Sequence, residues 1–215
     1  MAGRPGGVDI GVMNPGGVRS DLINDDGKIT YADAASIMPF NNTVVTKELT
    51  GAQFLKVLEQ QWQPAGSSRP FLKLGLSENV TYTYDPTAAE GSRVTTVMVD
   101  GEELDPAKTY TVASNSFLLG GGDNFKAFTR GTAPANLGYV DLNALVEALG
   151  NGQKQRTSQS NVGVHLPAPL TAGEEATIEL SSLLYGQGES ATTVTATLGS
   201  ATADATISAD AAGMT

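Results

Sequence analysis

The chain has 215 residues, 40% hydrophobic and 17% charged, a composition that can bury a core and is not that of a disordered chain. Thirteen Lys and Arg stand against 23 Asp and Glu, a net charge of −10. That field repels polyanions, which argues against a nucleic-acid polymer or an anionic membrane, while a local arginine can still hold a single phosphate. There is no cysteine and one histidine, His165, so disulfides, thiol chemistry and Cys-ligated zinc are excluded, and the several His and Asp ligands of a dinuclear hydrolase cannot be supplied.

No apolar run reaches about 18 residues, so no transmembrane helix is expected. Residues 1–11 lack the charged-then-apolar layout of a signal peptide; residues 1–6 read as a linker, and both ends read as cut from something longer. Residues 8–13 form a short β-like run that enters the loop Asn14-Pro15-Gly16-Gly17. Thr30 with Asp33 forms a capping pair for a short helix over 31–38, closed by Pro39. Thr50 with Gln53 repeats the device for a helix in which Phe54, Leu55, Leu58 and Trp62 share a face and which Pro64 ends.

Residues 80–84, 93–99 and 109–113 read as strands, with Asp100-Gly101 as a turn pair between the last two. Gly120-Gly121-Gly122-Asp123 is a second glycine loop. Asp141 is expected to cap a final helix with Leu142, Leu145, Val146 and Leu149 inward and Gly150 as its stop. The polar stretch 151–161 has no apolar periodicity and reads as a linker. Beyond it the text turns to Thr, Ala, Ser and Val, with strands over 176–180, 192–198 and 201–207 and turn residues at Gly186, Gly188 and Gly199. The expected organisation is a domain over 1–150, a linker over 151–161, and a small immunoglobulin-like β-sandwich over 162–215, short enough to be incomplete or marginal alone.

Seven motifs follow one another in order: Asn14-Pro15-Gly16-Gly17-Val18-Arg19, Gly27-Lys28-Ile29-Thr30-Tyr31, Pro39-Phe40-Asn41-Asn42-Thr43, Leu49-Thr50-Gly51, Asp105-Pro106-Ala107-Lys108-Thr109-Tyr110, Asn115-Ser116-Phe117-Leu118 and Gly121-Gly122-Asp123-Asn124-Phe125. Each alone is weak; the ordered set is specific. Over residues 8–149 the chain resembles the C-terminal domain of the 5'-nucleotidase and UDP-sugar hydrolase family, of the bacterial secreted type. The resemblance implies an α+β fold with a four-layer α/β/β/α arrangement. It also implies a secreted or cell-surface setting, with the signal sequence outside this chain.

The residues carry a chemistry that fits. Phe40 and Phe117 stand beside Asn and Gly rather than inside apolar runs. Two exposed rings can sandwich a base, although a core position is the commoner use of a phenylalanine. Asp123 follows three glycines, which let backbone approach a ligand, and its carboxylate can accept from ribose hydroxyls; an Asx-turn or helix cap is the plainer use. Arg19 can fork onto phosphate or ribose oxygens, or form a surface ion pair with Asp21. The resemblance implies base stacking by Phe40 and Phe117, ribose binding by Asp123 and nucleoside contacts from Asn14 and Asn42. It implies close backbone approach at Gly16 and Gly122. Pro15 removes one N–H donor from the first loop.

The implied function is recognition of the nucleoside part of a nucleotide. Its phosphate is presented to a dinuclear divalent-metal site in an N-terminal metallophosphoesterase domain absent from this chain, which hydrolyses it to nucleoside and phosphate. The chain itself needs no cofactor and is expected to be inactive alone. The alternative is a non-catalytic cell-surface or adhesion module whose nucleotidase-like domain has degenerated. The two differ over whether Phe40 and Phe117 face each other across a solvent-open cleft; burial of either ring under helix packing counts against binding.

Three further features carry less. Asn24, Asp26, Gly27, Ile29 and Asp33 fall at positions 3, 5, 6, 8 and 12 of an EF-hand-type calcium loop, but position 1 is Leu22, which cannot ligate. His165 has no partner cluster in sequence and reads as structural. The glycine run at 120–122 lacks the Lys-Ser/Thr of a phosphate-binding loop.

Overall fold

The computed structural model describes residues 7–22, 27–152, 159–171, 173–184, 192–198 and 201–207. The chain runs β1 (Ile10–Met13), α1 (Tyr31–Ile37), β2 (Thr43–Thr50), α2 (Gly51–Glu59), β3 (Gly75–Leu76), β4 (Val80–Tyr84), β5 (Val94–Val99), β6 (Glu102–Glu103), β7 (Thr109–Asn115), α3 (Ser116–Leu119), β8 (Thr132–Val140), α4 (Asp141–Gly150), β9 (Asn161–His165), β10 (Glu179–Ser181), β11 (Thr193–Leu198) and β12 (Ala201–Thr206). Two five-stranded sheets have the orders β3-β1-β7-β2-β8 and β10-β9-β4-β5-β6. Each is mixed, with one parallel pair, β1 with β7 and β4 with β9. This is an α+β domain.

Local chemistry explains the helix starts. At both Thr30 and Thr50 the hydroxyl accepts from the backbone N–H three residues on, and Asp33 or Gln53 accepts from the cap residue's own N–H. One buried cluster joins the sheets: Ile10, Leu49 and Val112 from the first, Val80, Tyr82 and Val97 from the second, and Phe54, Val57 and Leu58 from α2. Full burial of such side chains stabilises by about 1.5–3 kcal/mol each.

The structure departs from the sequence reading in four places. Helix α2 stops at Glu59 rather than near Pro64. The fully buried Gln61 amide leaves the helical path: its Nε2 donates to the Leu58 carbonyl, and its Oε1 accepts from Leu74 N and Tyr82 OH. Trp62 then packs on Phe71 instead of the helix face. The Asp100-Gly101 turn, both residues at positive φ, joins β5 to β6, while β7 belongs to the other sheet. Asp141 is the first residue of α4 rather than its cap, which is Val140.

The fourth departure concerns the tail. Strands β9 and β10, expected in a separate module, extend the second sheet instead. Asn161 is the reason: it is buried, its Oδ1 accepts from Tyr82 N at 3.1 Å, and its carbonyl accepts from Lys73 Nζ at 2.7 Å. Farther along, Tyr84 OH donates to Ser182 Oγ at 2.7 Å, and His165 pairs with Asp85 at 3.0 Å. Among the described residues the rest of the tail is one antiparallel hairpin, β11 with β12, not two packed sheets. Gly186, Gly188, Gly199 and most of the expected linker (residues 153–158) lie outside the described residues.

Candidate functional site

The first sheet brings three loops to one edge. Strands β1 and β7 are parallel and so finish at the same end, and β2, antiparallel to β7 with Val44 opposite Asn115, begins there. Asn14 follows β1, Phe40 and Asn42 precede β2, and Asn115 ends β7 with Phe117 just beyond in α3.

A chain of amides fixes the acidic group. Asn115 caps α3 by accepting from Leu118 N at 2.8 Å, and its Nδ2 donates to Asn14 Oδ1 at 2.9 Å. Asn14 Nδ2 in turn donates to Asp123 Oδ2 at 2.7 Å. Asn14 and Asn115 are both buried. The 3-10 turn that holds Asp123 has no side-chain cap. Gly16 lies beside the carboxylate: a methyl there would stand in ordinary contact, 3.4 Å from Asp123 Oδ2.

The aromatic residues are open to solvent. Phe40 is 55% exposed and Phe117 is 49% exposed. The Phe117 ring lies over Gly122, where any side chain would collide with it. The Arg19 guanidinium sits 5.8 Å from the centroid of the Phe40 ring, with a long 3.5 Å contact from Nη1 to the Gly16 carbonyl; such stacking is a cation–π contact. Arg19 forms no ion pair with Asp21 among the described residues. Asn42 is tied to the start of α4: its carbonyl accepts from Asp141 N at 2.9 Å, and its Nδ2 reaches Asp141 Oδ2 at 3.4 Å.

The eight expected residues therefore fall into linked groups. Asn14, Gly16 and Asp123 meet; Phe117 meets Gly122; Arg19 meets Phe40 and touches Gly16; Asn42 stands beside Phe40 but is turned toward α4. Two more residues belong here. Asn115 lay inside a quoted motif without a role, and its place opposite Val44 at the strand end is what gives it one. Arg69 approaches Asp123 Oδ1 at 3.8 Å. It comes from the polar loop after α2, where no periodicity marks it. An open pocket of about 190 Å³ is lined by Gln63, Ser67, Ser68, Arg69, Asp123 and Asn124, and by neither ring.

Among the described residues no three His, Cys, Asp or Glu side chains are placed to hold a metal ion. Of the calcium-loop positions, Asn24 and Asp26 lie outside the described residues, and Asp33 is engaged in the α1 capping box.

Residues 3–130 match the sequence profile of the family described as "5'-nucleotidase, C-terminal domain". The chain belongs to that family. All eight expected site residues of this 5'-nucleotidase C-terminal domain fall inside the match, whereas β9 and β10 lie beyond it. Similar proteins include the trifunctional nucleotide phosphoesterase protein YfkN of Bacillus subtilis, 32% identical over 151 residues that cover 66% of this chain and 10% of YfkN. Protein UshA of Salmonella pullorum is 33% identical over 141 residues, 66% of this chain and 24% of UshA. The cell wall protein Lmo0130 of Listeria monocytogenes is 39% identical over 137 residues, 60% of this chain and 17% of Lmo0130. The crystal structure of a 5'-nucleotidase precursor from Thermus thermophilus superposes with a TM-score of 0.59 at 29% identity, over 70% of this chain and 30% of that one. This 5'-nucleotidase C-terminal domain thus spans a quarter or less of these curated relatives' length.

Proposed function

We propose that this domain holds the nucleoside part of a nucleotide and presents its phosphate to a metallophosphoesterase domain of the same protein, where a dinuclear divalent-metal site hydrolyses the ester to nucleoside and phosphate. The observation that carries the reading is the exposure of Phe40 and Phe117 at the sheet edge that also holds Asp123. A base fits the chemistry of two open rings, because every base has a π-face. A ribose diol fits a carboxylate already oriented by a buried amide. Arg19, stacked on Phe40, supplies positive charge on the ribose–phosphate side. A module that had lost this role would gain by covering its rings, and both are open, which favours binding over the adhesion reading. Export to the cell surface or beyond is part of the proposal, supported by the likeness to a cell wall protein. The chain alone is expected not to turn over AMP.

The test is titration of adenosine and adenine into the chain and two variants. Phe117→Ala is expected to weaken both ligands by roughly 1–3 kcal/mol. Asp123→Asn, which suits the left-handed backbone at this position, is expected to weaken adenosine by roughly 1 kcal/mol and spare adenine. Adenosine that fails to bind a folded sample at millimolar concentration overturns the reading.

A further inference from the structure

Asp123 has a neighbour that base stacking and ribose binding do not use. Arg69 stands in Ser67-Ser68-Arg69-Pro70, its side chain 56% exposed and its Nη2 3.8 Å from Asp123 Oδ1. A methyl on Gly16 would lie 3.5 and 3.7 Å from its two terminal nitrogens, so the guanidinium also hangs over the first glycine loop. An ion pair this long and this exposed contributes little. Arg69 makes no hydrogen bond to another described residue, which leaves its five N–H donors for a ligand. The pocket it lines also holds Ser67, Ser68 and Leu72, while the Gln63 and Asn124 amides in its wall are bonded to each other. Asp123 is the one residue that this pocket shares with the proposed nucleoside site.

We propose that the pocket is a subsite for an anionic group, a phosphate foremost, carried on the 2' or 3' oxygen of the bound ribose. The inference rests on the nucleoside reading of Phe40, Phe117 and Asp123. A diol meets a carboxylate through its two hydroxyls, so a substituent on either oxygen gives up that hydroxyl's bond to Asp123 and leaves the sugar directly beside the carboxylate. Arg69 and the two serines stand at that place. A guanidinium forks onto phosphate oxygens with short, charge-assisted bonds. In a chain of net charge −10 the general field opposes an anion, so a local arginine is the element such binding requires. Arg69 also stands 3.8 Å from the Asp123 carboxylate, so its charge would offset the repulsion between that carboxylate and a phosphate bound at Arg69.

Calorimetry on the chain and on Arg69→Gln, with adenosine and its 2'-, 3'- and 5'-phosphates, tests this. The 2'- or 3'-phosphate is expected to bind about tenfold tighter than adenosine, with that ratio falling to about one or below in Arg69→Gln. The gain should shrink as salt is raised. Adenosine binding with no gain from either phosphate overturns the subsite and leaves the nucleoside reading standing. A gain that survives Arg69→Gln, or an Arg69-dependent gain confined to the 5'-phosphate, shows the anion sits elsewhere. No adenosine binding at all overturns the nucleoside reading and this subsite with it.

Discussion

Replacing Gly122 by alanine adds one methyl group, which the structure places 2.5 Å from Cε1 and Cζ of Phe117 and 2.7 Å from its Cδ1. Carbon pairs settle at about 3.5–4.0 Å, so the ring must move by about an ångström or more. Gly122 does not have a left-handed backbone, so alanine introduces no strain of its own. The ring is half exposed and can swing toward solvent, and the cost in folding should stay within roughly 0.5 kcal/mol, as for other surface changes. On the proposed function binding is affected differently, because the ring proposed to stack on the base is displaced. Stacking contributes about 1–3 kcal/mol per base, so adenosine and adenine should both bind about 5–150-fold more weakly. The assay is calorimetric titration of the unmodified chain, Gly122→Ala, Phe117→Ala and the double variant, with urea unfolding of all four. The two changes act through one ring, so the double variant should bind no worse than Phe117→Ala alone. Undiminished affinity in Gly122→Ala refutes the proposed stacking role of Phe117. A loss of several kcal/mol in folding refutes the claim that the ring has room to move.

Two further expectations concern the frame rather than the ligand. Gln61→Leu leaves Leu74 N and Tyr82 OH without their acceptor, which should cost roughly 1–3 kcal/mol for each donor in urea unfolding, with adenosine affinity unchanged. The hydrogen bond from His165, followed by those from the Thr87 hydroxyl and N–H, pulls the Asp85 carboxyl down to about 2, below the ordinary value of about 3.9. The unfolded chain therefore takes up the proton first. The stabilisation is fully present above about pH 4 and is lost as pH falls toward 2. Acid unfolding of the chain and of Asp85→Asn should show a stability difference that shrinks over that window; a difference constant with pH would count against the pairing.

What was legible in the sequence was mostly local. The Thr30–Asp33 and Thr50–Gln53 boxes span three residues each, and their hydrogen bonds need nothing from the rest of the chain. Strands β4, β5 and β7 show their β-rich character without reference to a partner. Phe40, Phe117 and Asp123 could be singled out because glycine and asparagine near them mark breaks in the apolar runs, although Phe117 itself stands in α3 rather than in a loop. The parts that escaped depend on distant partners. Residues 159–161 look like linker until Tyr82 N and Lys73 Nζ meet Asn161. Gln61 looks like another helical residue until Leu74 and Tyr82 claim its amide. Arg69 sits in a polar loop with no signal beyond its charge, and only the approach of that loop to Asp123 gives it a place.

The backbone around the site is under conformational constraint, and its side chains explain how that is borne. Asn41, between Phe40 and Asn42, has φ 51°, and Asp123 and Asn124 have φ 50° and 64° after Gly121 at 87°. Non-glycine residues in this region cost of order 1–3 kcal/mol each, least for Asn and Asp. Each bend is held by a specific bond. Asn42 is fastened to Asp141, Asp123 to Asn14, Asn124 Nδ2 to Gln63 Oε1 at 2.9 Å, and the Gly121 carbonyl to Lys126 Nζ at 3.0 Å. Lys47 Nζ clasps the loop from below through the Leu119 and Phe128 carbonyls. The acidic group is thus oriented through Asn14 and Asn115 by the sheet itself, and little ordering remains when a ligand arrives. That division of labour accounts for the two buried asparagines: they hold the carboxylate in place, and in the proposed function the exposed rings are left to meet the base.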